Sequence, residues 1–189
     1  MVKYGLDYTR CRWILPLLLG IGVIFGIIGL AGWAWLESAT VPYVQRASLW
    51  QTCTRADENS EWTCEPLTTW AWARGAIGTI LTGYIIFVIC FALAIIAFAV
   101  SLLRFNFIRG IGGLLFVSAL FLIMGLVIYP VNYTETINII EVGAFGWSYG
   151  FMWTVAIMAI GLAFFFCCLP NYEDQILGNV KPDYCCGTP

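Results

Sequence analysis

The sequence predicts an all-α membrane protein, a four-transmembrane-helix bundle with one small β element outside the membrane. Three observations predict it. The 189 residues are 61% hydrophobic and only 11% charged, whereas soluble domains have about 25% charged residues. Four long stretches lack Asp, Glu, Lys and Arg, and a helix needs about 20 apolar residues to cross a bilayer. Two cysteines stand close together in the longest polar loop, which favours a disulfide there.

From the uncharged stretches 14–36, 76–103, 110–134 and 142–172 we expect helices at about residues 14–36, 76–103, 108–130 and 147–169. Arg10 and Arg12 precede the first stretch, but it is too long for a signal peptide, and Trp33 and Trp35 stand where a cleavage site needs small residues. We therefore expect a retained helix. The chain is then a single tetraspan domain, with a first extracellular loop at 37–75, a second at 131–146 and a cytosolic tail at 170–189.

The distribution of charge predicts the orientation. Basic residues concentrate in the N-terminus, the loop between the second and third helices, and the tail: Lys3, Arg10, Arg12, Arg104, Arg109 and Lys181. Acidic residues lean towards the other two loops: Glu37, Asp57, Glu58, Glu61, Glu65, Glu135 and Glu141. Because positive residues stay on the cytosolic side, both termini are predicted to be cytosolic.

Composition also excludes several functions. The chain contains no histidine, the commonest general base and metal ligand. Since no nucleophile, base and metal-binding residues converge either, we expect no enzyme activity, no cofactor, no metal and no small-molecule substrate. A net charge of -2 provides no basic excess for nucleic acid. The four stretches hold no ionisable residue at depth, which disfavours a transporter or pump.

Cys53 and Cys64 are the only cysteines in the predicted outer loops. In an oxidising compartment each has one intramolecular partner, which predicts a disulfide. Turn-forming residues stand near the middle of the enclosed segment: Asp57, Glu58, Asn59 and Ser60. We therefore expect a hairpin that the bridge pins near its base. Two free thiols or a zinc pair are the alternatives, although a zinc site would lack further ligands here.

Three other cysteines lie where the first and fourth helices meet the inner membrane interface. Cys11, Cys167 and Cys168 occupy the position at which S-palmitoylation acts. The alternative is that they are small apolar residues at a helix end. The sequence leaves both interpretations open.

An Asn-Tyr-Thr sequence begins at Asn132 and forms an N-glycosylation acceptor on the predicted outer side. It lies only a few residues beyond the third predicted helix, so the bilayer would crowd a glycan. We favour an unmodified turn asparagine over a glycosylated one.

Small residues recur at helical spacing in three places: Gly22 with Gly26, Gly146 with Gly150, and Gly75 with Thr79 and Gly83. Such residues let helix backbones approach closely. A compact four-helix bundle uses these surfaces internally, so we favour packing within the chain over dimerisation. Aromatic residues near the predicted span ends suggest an interfacial belt: Trp13, Trp33, Trp35, Trp70, Trp72, Tyr129 and Trp147.

An ordered set of residues resembles the signature of the claudin and peripheral myelin protein superfamily: Trp35, Leu49, Trp50, Cys53, Cys64 and Arg74. That signature usually reads Trp, Gly-Leu-Trp, Cys, Cys, and here Ser48 replaces the glycine. Segments 11–19, 126–131 and 164–174 resemble a desmosomal tetraspan member of this superfamily that is also described as an apoptosis effector.

The resemblance implies a claudin-like, left-handed bundle whose first outer loop is a small disulfide-pinned extracellular antiparallel sheet. In that arrangement Trp35, Leu49 and Trp50 wedge against the bundle near the outer leaflet, and Arg74 takes an ion-pairing position at the start of the second helix. Periodicity alone indicates only a loop with strand tendency between residues 41 and 53, because apolar and polar residues do not alternate cleanly there.

For function, the resemblance implies a structural tetraspan protein of cell-cell junctions in the plasma membrane. Desmosome-type adhesion in epithelium and an apoptosis-effector role would follow. The implied partners are membrane lipids, junctional or desmosomal membrane proteins and, laterally, further copies of the chain. A claudin-like paracellular barrier or ion-pore component is the alternative. The acidic residues near the hairpin tip could select ions, but an acidic tip is more often merely solvated.

Overall fold

The computed structural model describes residues 8–38, 43–55, 59–99, 106–137 and 145–168. It contains four long helices: α1 (Tyr8–Ala31), α2 (Ala71–Ala99), α3 (Asn106–Ile137) and α4 (Trp147–Cys168). Four strands lie between α1 and α2: β1 (Leu36–Ser38), β2 (Tyr43–Ala47), β3 (Gln51–Arg55) and β4 (Thr63–Pro66). All four helices are long and apolar enough to cross a membrane, so the four-span prediction is confirmed.

The helix ends differ from those that the uncharged stretches predict. Helix α1 ends at Ala31 rather than at residue 36, and Leu36 begins strand β1. Helix α2 begins earlier than predicted, at Ala71, and α3 continues through Pro130 to Ile137. The reason is that hydropathy marks the apolar part of a segment, whereas a helix can continue into polar sequence and an apolar run can also be a buried strand. The predicted inner end of the second helix, residues 138–144 of the predicted second outer loop and the tail at 170–189 lie outside the described residues.

A side-chain hydroxyl links each pair of consecutive helices. The three donor and acceptor pairs are Tyr84 with the Val23 carbonyl, Ser118 with the Gly83 carbonyl, and Tyr149 with the Leu126 carbonyl, at 2.7, 2.7 and 2.9 Å. In a bilayer a polar side chain gains little from facing lipid, so such bonds contribute to helix association.

Gly22 and Gly26 pack within the chain, as predicted, but they face aromatic rings instead of a neighbouring backbone. A Cβ atom at Gly22 would lie 2.6 Å from the ring of Phe87, and one at Gly26 would overlap the ring of Tyr84. These glycines therefore make room on α1 for the aromatic side chains of α2.

The other small residues divide between two surroundings. A Cβ atom at Gly83 would lie 2.9 Å from both the Leu122 nitrogen and the Ser118 oxygen, so the backbones of α2 and α3 approach closely there. Gly146 is close to the backbone of residue 34 in the same way. At Gly75 and Gly150, however, no described atom would lie within 4 Å. Packing within the chain at these two positions stays a prediction.

The strands form one antiparallel sheet in the order β1-β2-β3-β4. Strands β3 and β4 pair Cys53 directly with Cys64, and a disulfide joins the two residues. This confirms the predicted bridge and the disulfide-pinned antiparallel sheet. The register shifts between Val44 and Arg46, and again between Leu36 and Ser38. These irregularities explain why the sequence shows no clean alternation in this region.

The two edges of the sheet have different surroundings. At the β1 edge, Leu36 forms an isolated bridge with Phe145, and the amide of Ser148 donates to the Ala34 carbonyl at 3.1 Å. The segment that leads into α4 therefore covers this edge. Strand β4 forms the opposite edge, and all its residues are exposed.

Candidate functional site where the sheet meets the bundle

The carboxyl end of α1 is capped by the segment that leads into β1 and by the turn between β2 and β3. The last carbonyls of a helix lack intrahelical donors, and here three of them accept bonds from residues beyond the helix. The donors are the Gly32 amide to Ile28, the Trp35 indole to Gly29 and the Trp50 indole to Leu30, each at 2.9 Å. Two of these donors are the tryptophans that the sequence comparison selects, so the sheet and α1 are joined at this point.

Trp35 lies at the centre of the junction between the sheet and the bundle. Its side chain is fully buried, and its ring centroid lies 4.9 Å from that of Tyr129 on α3 and 5.7 Å from that of Tyr149 on α4. Its backbone amide donates to the Ala47 carbonyl of β2 at 2.8 Å. One residue therefore contacts α1, α3, α4 and the sheet. Trp35 and Tyr129, which the sequence places in the interfacial aromatic belt, are both buried inside the molecule.

Leu49 and Trp50 are neighbours in the sequence but have different surroundings. Leu49 is fully buried in the core, whereas Trp50 is 42% exposed although its indole binds Leu30. Trp50 thus combines an anchored ring nitrogen with an accessible ring face. The exposed tryptophans Trp33, Trp70 and Trp147 lie near the ends of α1, α2 and α4 that face the sheet, and their place in an interfacial belt stays a prediction.

Ser48, which replaces the glycine of the signature, organises the turn between β2 and β3. Its Oγ accepts hydrogen bonds from the amides of Trp50 and Gln51 at 3.1 and 3.0 Å, and it lies 3.0 Å from the Gln51 carbonyl, to which it can donate. The Ser48 carbonyl accepts a bond from the Tyr129 hydroxyl at 2.9 Å. Sequence analysis treats this residue only as a departure from the signature, and the structure shows that its side chain holds the turn.

Two tyrosines at the end of α3 that faces the sheet bind to it. Tyr129 and Tyr133 are almost completely buried and stack with centroids 5.6 Å apart. Tyr133 shares a hydrogen bond with Thr52 of β3, and Trp72 packs edge-on against both rings. Sequence analysis misses this role. The available signal is their separation by four residues, which places both side chains on one face of a helix.

Arg74 and Asn132 occupy helices. Arg74 is exposed on α2, and its amide donates to the Trp70 carbonyl at 3.2 Å; its ion-pairing role stays a prediction. Asn132 lies within α3, where its side-chain amide donates to the Ile128 carbonyl at 2.9 Å. The expected turn at Asn132 is therefore wrong, because the helix continues beyond it, and glycosylation there stays a prediction.

The β3-β4 hairpin carries the charged surface. Arg55 lies over the Trp62 ring, with its Cζ atom 4.9 Å from the ring centroid. This is a cation–π contact, in which the ring face attracts the positive guanidinium. Glu61 and Glu65 are exposed. Asp57 and Glu58 lie outside the described residues, as do the side chains of Cys11, Cys167 and Cys168. Palmitoylation of these three cysteines stays a prediction.

Two comparisons extend the sequence resemblance. The PMP-22/EMP/MP20/Claudin family model matches residues 13–166. A curated relative from Danio rerio, "p53 apoptosis effector related to PMP-22", is 39% identical over 187 residues, which cover 97% of each chain. The resemblance to an apoptosis-effector tetraspan is confirmed, and it extends over nearly the whole chain.

Proposed function

Because the chain belongs to the PMP-22/EMP/MP20/Claudin family, we propose that it is a structural tetraspan protein of cell-cell junctions, with desmosome-type adhesion in epithelium as its role. Its working surface is the extracellular sheet. The bundle holds that sheet at a defined height and orientation above the outer leaflet. In this proposal the protein is not an enzyme, and its sheet provides a surface that binds other junctional proteins.

The observation that carries the proposal is the fixed attachment of the sheet to the bundle. The indoles of Trp35 and Trp50 donate hydrogen bonds to carbonyls of α1. The Tyr129 hydroxyl donates to the Ser48 carbonyl, and the Tyr133 hydroxyl shares a hydrogen bond with Thr52. These four contacts reach helices on two sides of the bundle. A sheet held in this way suits a protein that transmits force between its outer surface and its membrane spans.

The interior of the bundle supports a structural role over transport. Apart from tyrosines, the buried polar side chains in the described parts of the four spans are Ser118 and Ser148. None of these buried side chains is charged, and ion or proton pathways commonly need ionisable groups at membrane depth. Large apolar side chains such as Phe87 and Leu122 are fully buried in the core.

The remaining parts of the proposal concern location and partners. The distribution of Lys and Arg supports cytosolic termini in a multi-pass plasma-membrane protein. A Cβ atom at Gly75 or Gly150 would meet no described atom of another helix within 4 Å, which leaves room for lateral contacts with further copies or with other junctional membrane proteins. The name of the Danio rerio relative supports an apoptosis-effector role, and the similarity over 97% of both chains is the reason to extend it to this protein.

An epithelial sheet that expresses Trp50→Ala tests the proposal. Alanine removes both the bond to Leu30 and the large ring, so we expect the variant to reach the surface but to concentrate poorly at junctions. Fragmentation of the cell sheet under shear should increase. Trp147→Ala is the matched control, because Trp147 is 49% exposed, similar to Trp50, but lies at the start of α4 and outside the sheet.

The same cells distinguish adhesion from an ion pore. If adhesion is the function, neutralising Asp57, Glu58, Glu61 and Glu65 together should leave the ion selectivity of the cell sheet unchanged. A paracellular pore would instead change its electrical permselectivity, because those carboxylates are the acidic groups near the hairpin tip. The adhesion proposal would be contradicted if the neutralised variant changed ion selectivity while Trp50→Ala cells kept normal cohesion.

A further inference from the structure

The turn between β2 and β3 joins the two attachment points of the sheet. On one side, the Ser48 carbonyl accepts the Tyr129 hydroxyl of α3. On the other, Trp50 binds Leu30 of α1 through its indole, and its carbonyl accepts the Leu67 amide at 2.8 Å. The chain crosses from one helix contact to the other within three residues, so the conformation of this turn determines where the indole of Trp50 lies.

The Ser48 side chain provides the bonds that hold this short segment. It is only 7% exposed, and its Oγ lies within hydrogen-bond distance of the Trp50 amide, the Gln51 amide and the Gln51 carbonyl. A serine hydroxyl can accept two bonds and donate one, so these three contacts use its full capacity. The Ser48 amide also donates to the Gln51 carbonyl at 2.9 Å, but that backbone bond does not involve the Trp50 amide.

We propose that Ser48 is a positioning residue, whose hydroxyl orients the Trp50 backbone so that the indole reaches the Leu30 carbonyl. A glycine at position 48 would permit the same backbone path, but it would provide no acceptor for the Trp50 and Gln51 amides. The turn would then persist while Trp50 changes orientation more freely. This inference concerns the local geometry, and only its cellular readout rests on the proposed junction function.

Hydrogen exchange of the purified full-length protein in lipid nanodiscs tests the inference. In Ser48→Gly the amides of Trp50 and Gln51 should exchange roughly five to ten times faster, the factor expected for loss of one net hydrogen bond. Protection of β2, of β3 from Thr52 onwards and of the four helices should stay at the wild-type level. Ser48→Thr retains the hydroxyl and should restore slow exchange. Thr63→Ala is the control, since its hydroxyl bonds the Thr54 carbonyl in an exposed part of the same sheet.

A second readout follows the indole itself. With 5-fluorotryptophan incorporated, the 19F resonance of Trp50, assigned from Trp50→Phe, should shift or broaden in Ser48→Gly and return to its original position in Ser48→Thr. Unchanged exchange and an unchanged resonance in Ser48→Gly would overturn the inference. Failure of Ser48→Thr to restore them, or loss of protection throughout the sheet, would also overturn it, since the hydroxyl would then not act on Trp50 specifically.

Junction localisation of Ser48→Gly separates this inference from the proposed function. If Trp50 is displaced and junction enrichment falls, both are supported. If Trp50 is displaced but enrichment is unchanged, the positioning role is supported, and the importance of Trp50 for junctions is rejected.

Discussion

The hydroxyl of Tyr149 on α4 donates a hydrogen bond of 2.9 Å to the Leu126 carbonyl of α3. Four residues after Leu126 stands Pro130, which lies inside the helix and has no amide hydrogen to donate. The carbonyl that the proline leaves without its helical donor therefore receives one from the neighbouring helix. Contacts of this kind allow proline within membrane helices.

Tyr149→Phe should reduce the free energy of unfolding by about 1–2 kcal/mol. The phenyl ring preserves the packing against Trp35, so the loss would come from the unsatisfied Leu126 carbonyl. Reversible unfolding in mixed micelles measures the change.

Pro130→Ala provides the internal control for that variant. Alanine restores an amide donor for Leu126, so Tyr149→Phe should cost less in the Pro130→Ala background than in the wild type. An equal cost in both backgrounds would show that the two residues are not coupled.

Gly83→Ala should destabilise the bundle by about 1–3 kcal/mol, the usual cost of overpacking. Its Cβ atom would lie 2.9 Å from backbone atoms of Ser118 and Leu122, and backbone cannot move aside as a side chain can. Gly78→Ala on the same helix is the control, because no described atom lies within 4 Å of its Cβ position. We expect that variant to be neutral or slightly stabilised, since alanine favours helix. Equal effects in the two variants would contradict the packing argument.

Cys53→Ser and Cys64→Ser should reduce surface delivery to the same extent, because each removes the same bond between β3 and β4. The double variant should be no worse than either single one. Closing a loop of this length stabilises a folded element by about 3 kcal/mol in the chain-entropy model. Surface biotinylation measures delivery, and wild-type delivery of both single variants would show that the bridge is dispensable.

Single cysteines added by substitution test the orientation. Asn59→Cys in the β3-β4 hairpin should react with an impermeant thiol reagent on intact cells. Asn106→Cys, at the start of α3, should react only after permeabilisation. The unsubstituted chain measures background labelling. The reverse pattern would place both termini outside and contradict the inference from Lys and Arg.

Much of the architecture could be predicted because it depends on local composition. The number of spans follows from uncharged apolar stretches, since each must match the thickness of a bilayer. The Cys53–Cys64 bridge follows from the presence of only two outer cysteines. Trp35, Leu49 and Trp50 could be selected as candidate site residues, but only by resemblance, because periodicity in residues 41–53 is weak.

The sequence by itself therefore determined the class of the protein, its four spans and its disulfide, all of which depend on residue type and spacing along the chain. Only the tertiary structure decided that α1 ends at Ala31 and that Trp35 is buried while Trp50 stays exposed. It also decided that α3 continues past Pro130 to bring Tyr133 against Thr52. Hydropathy cannot distinguish an apolar strand from an apolar helix, and it cannot identify which distant hydroxyl or indole satisfies a free carbonyl. Those choices depend on contacts between segments far apart in the chain.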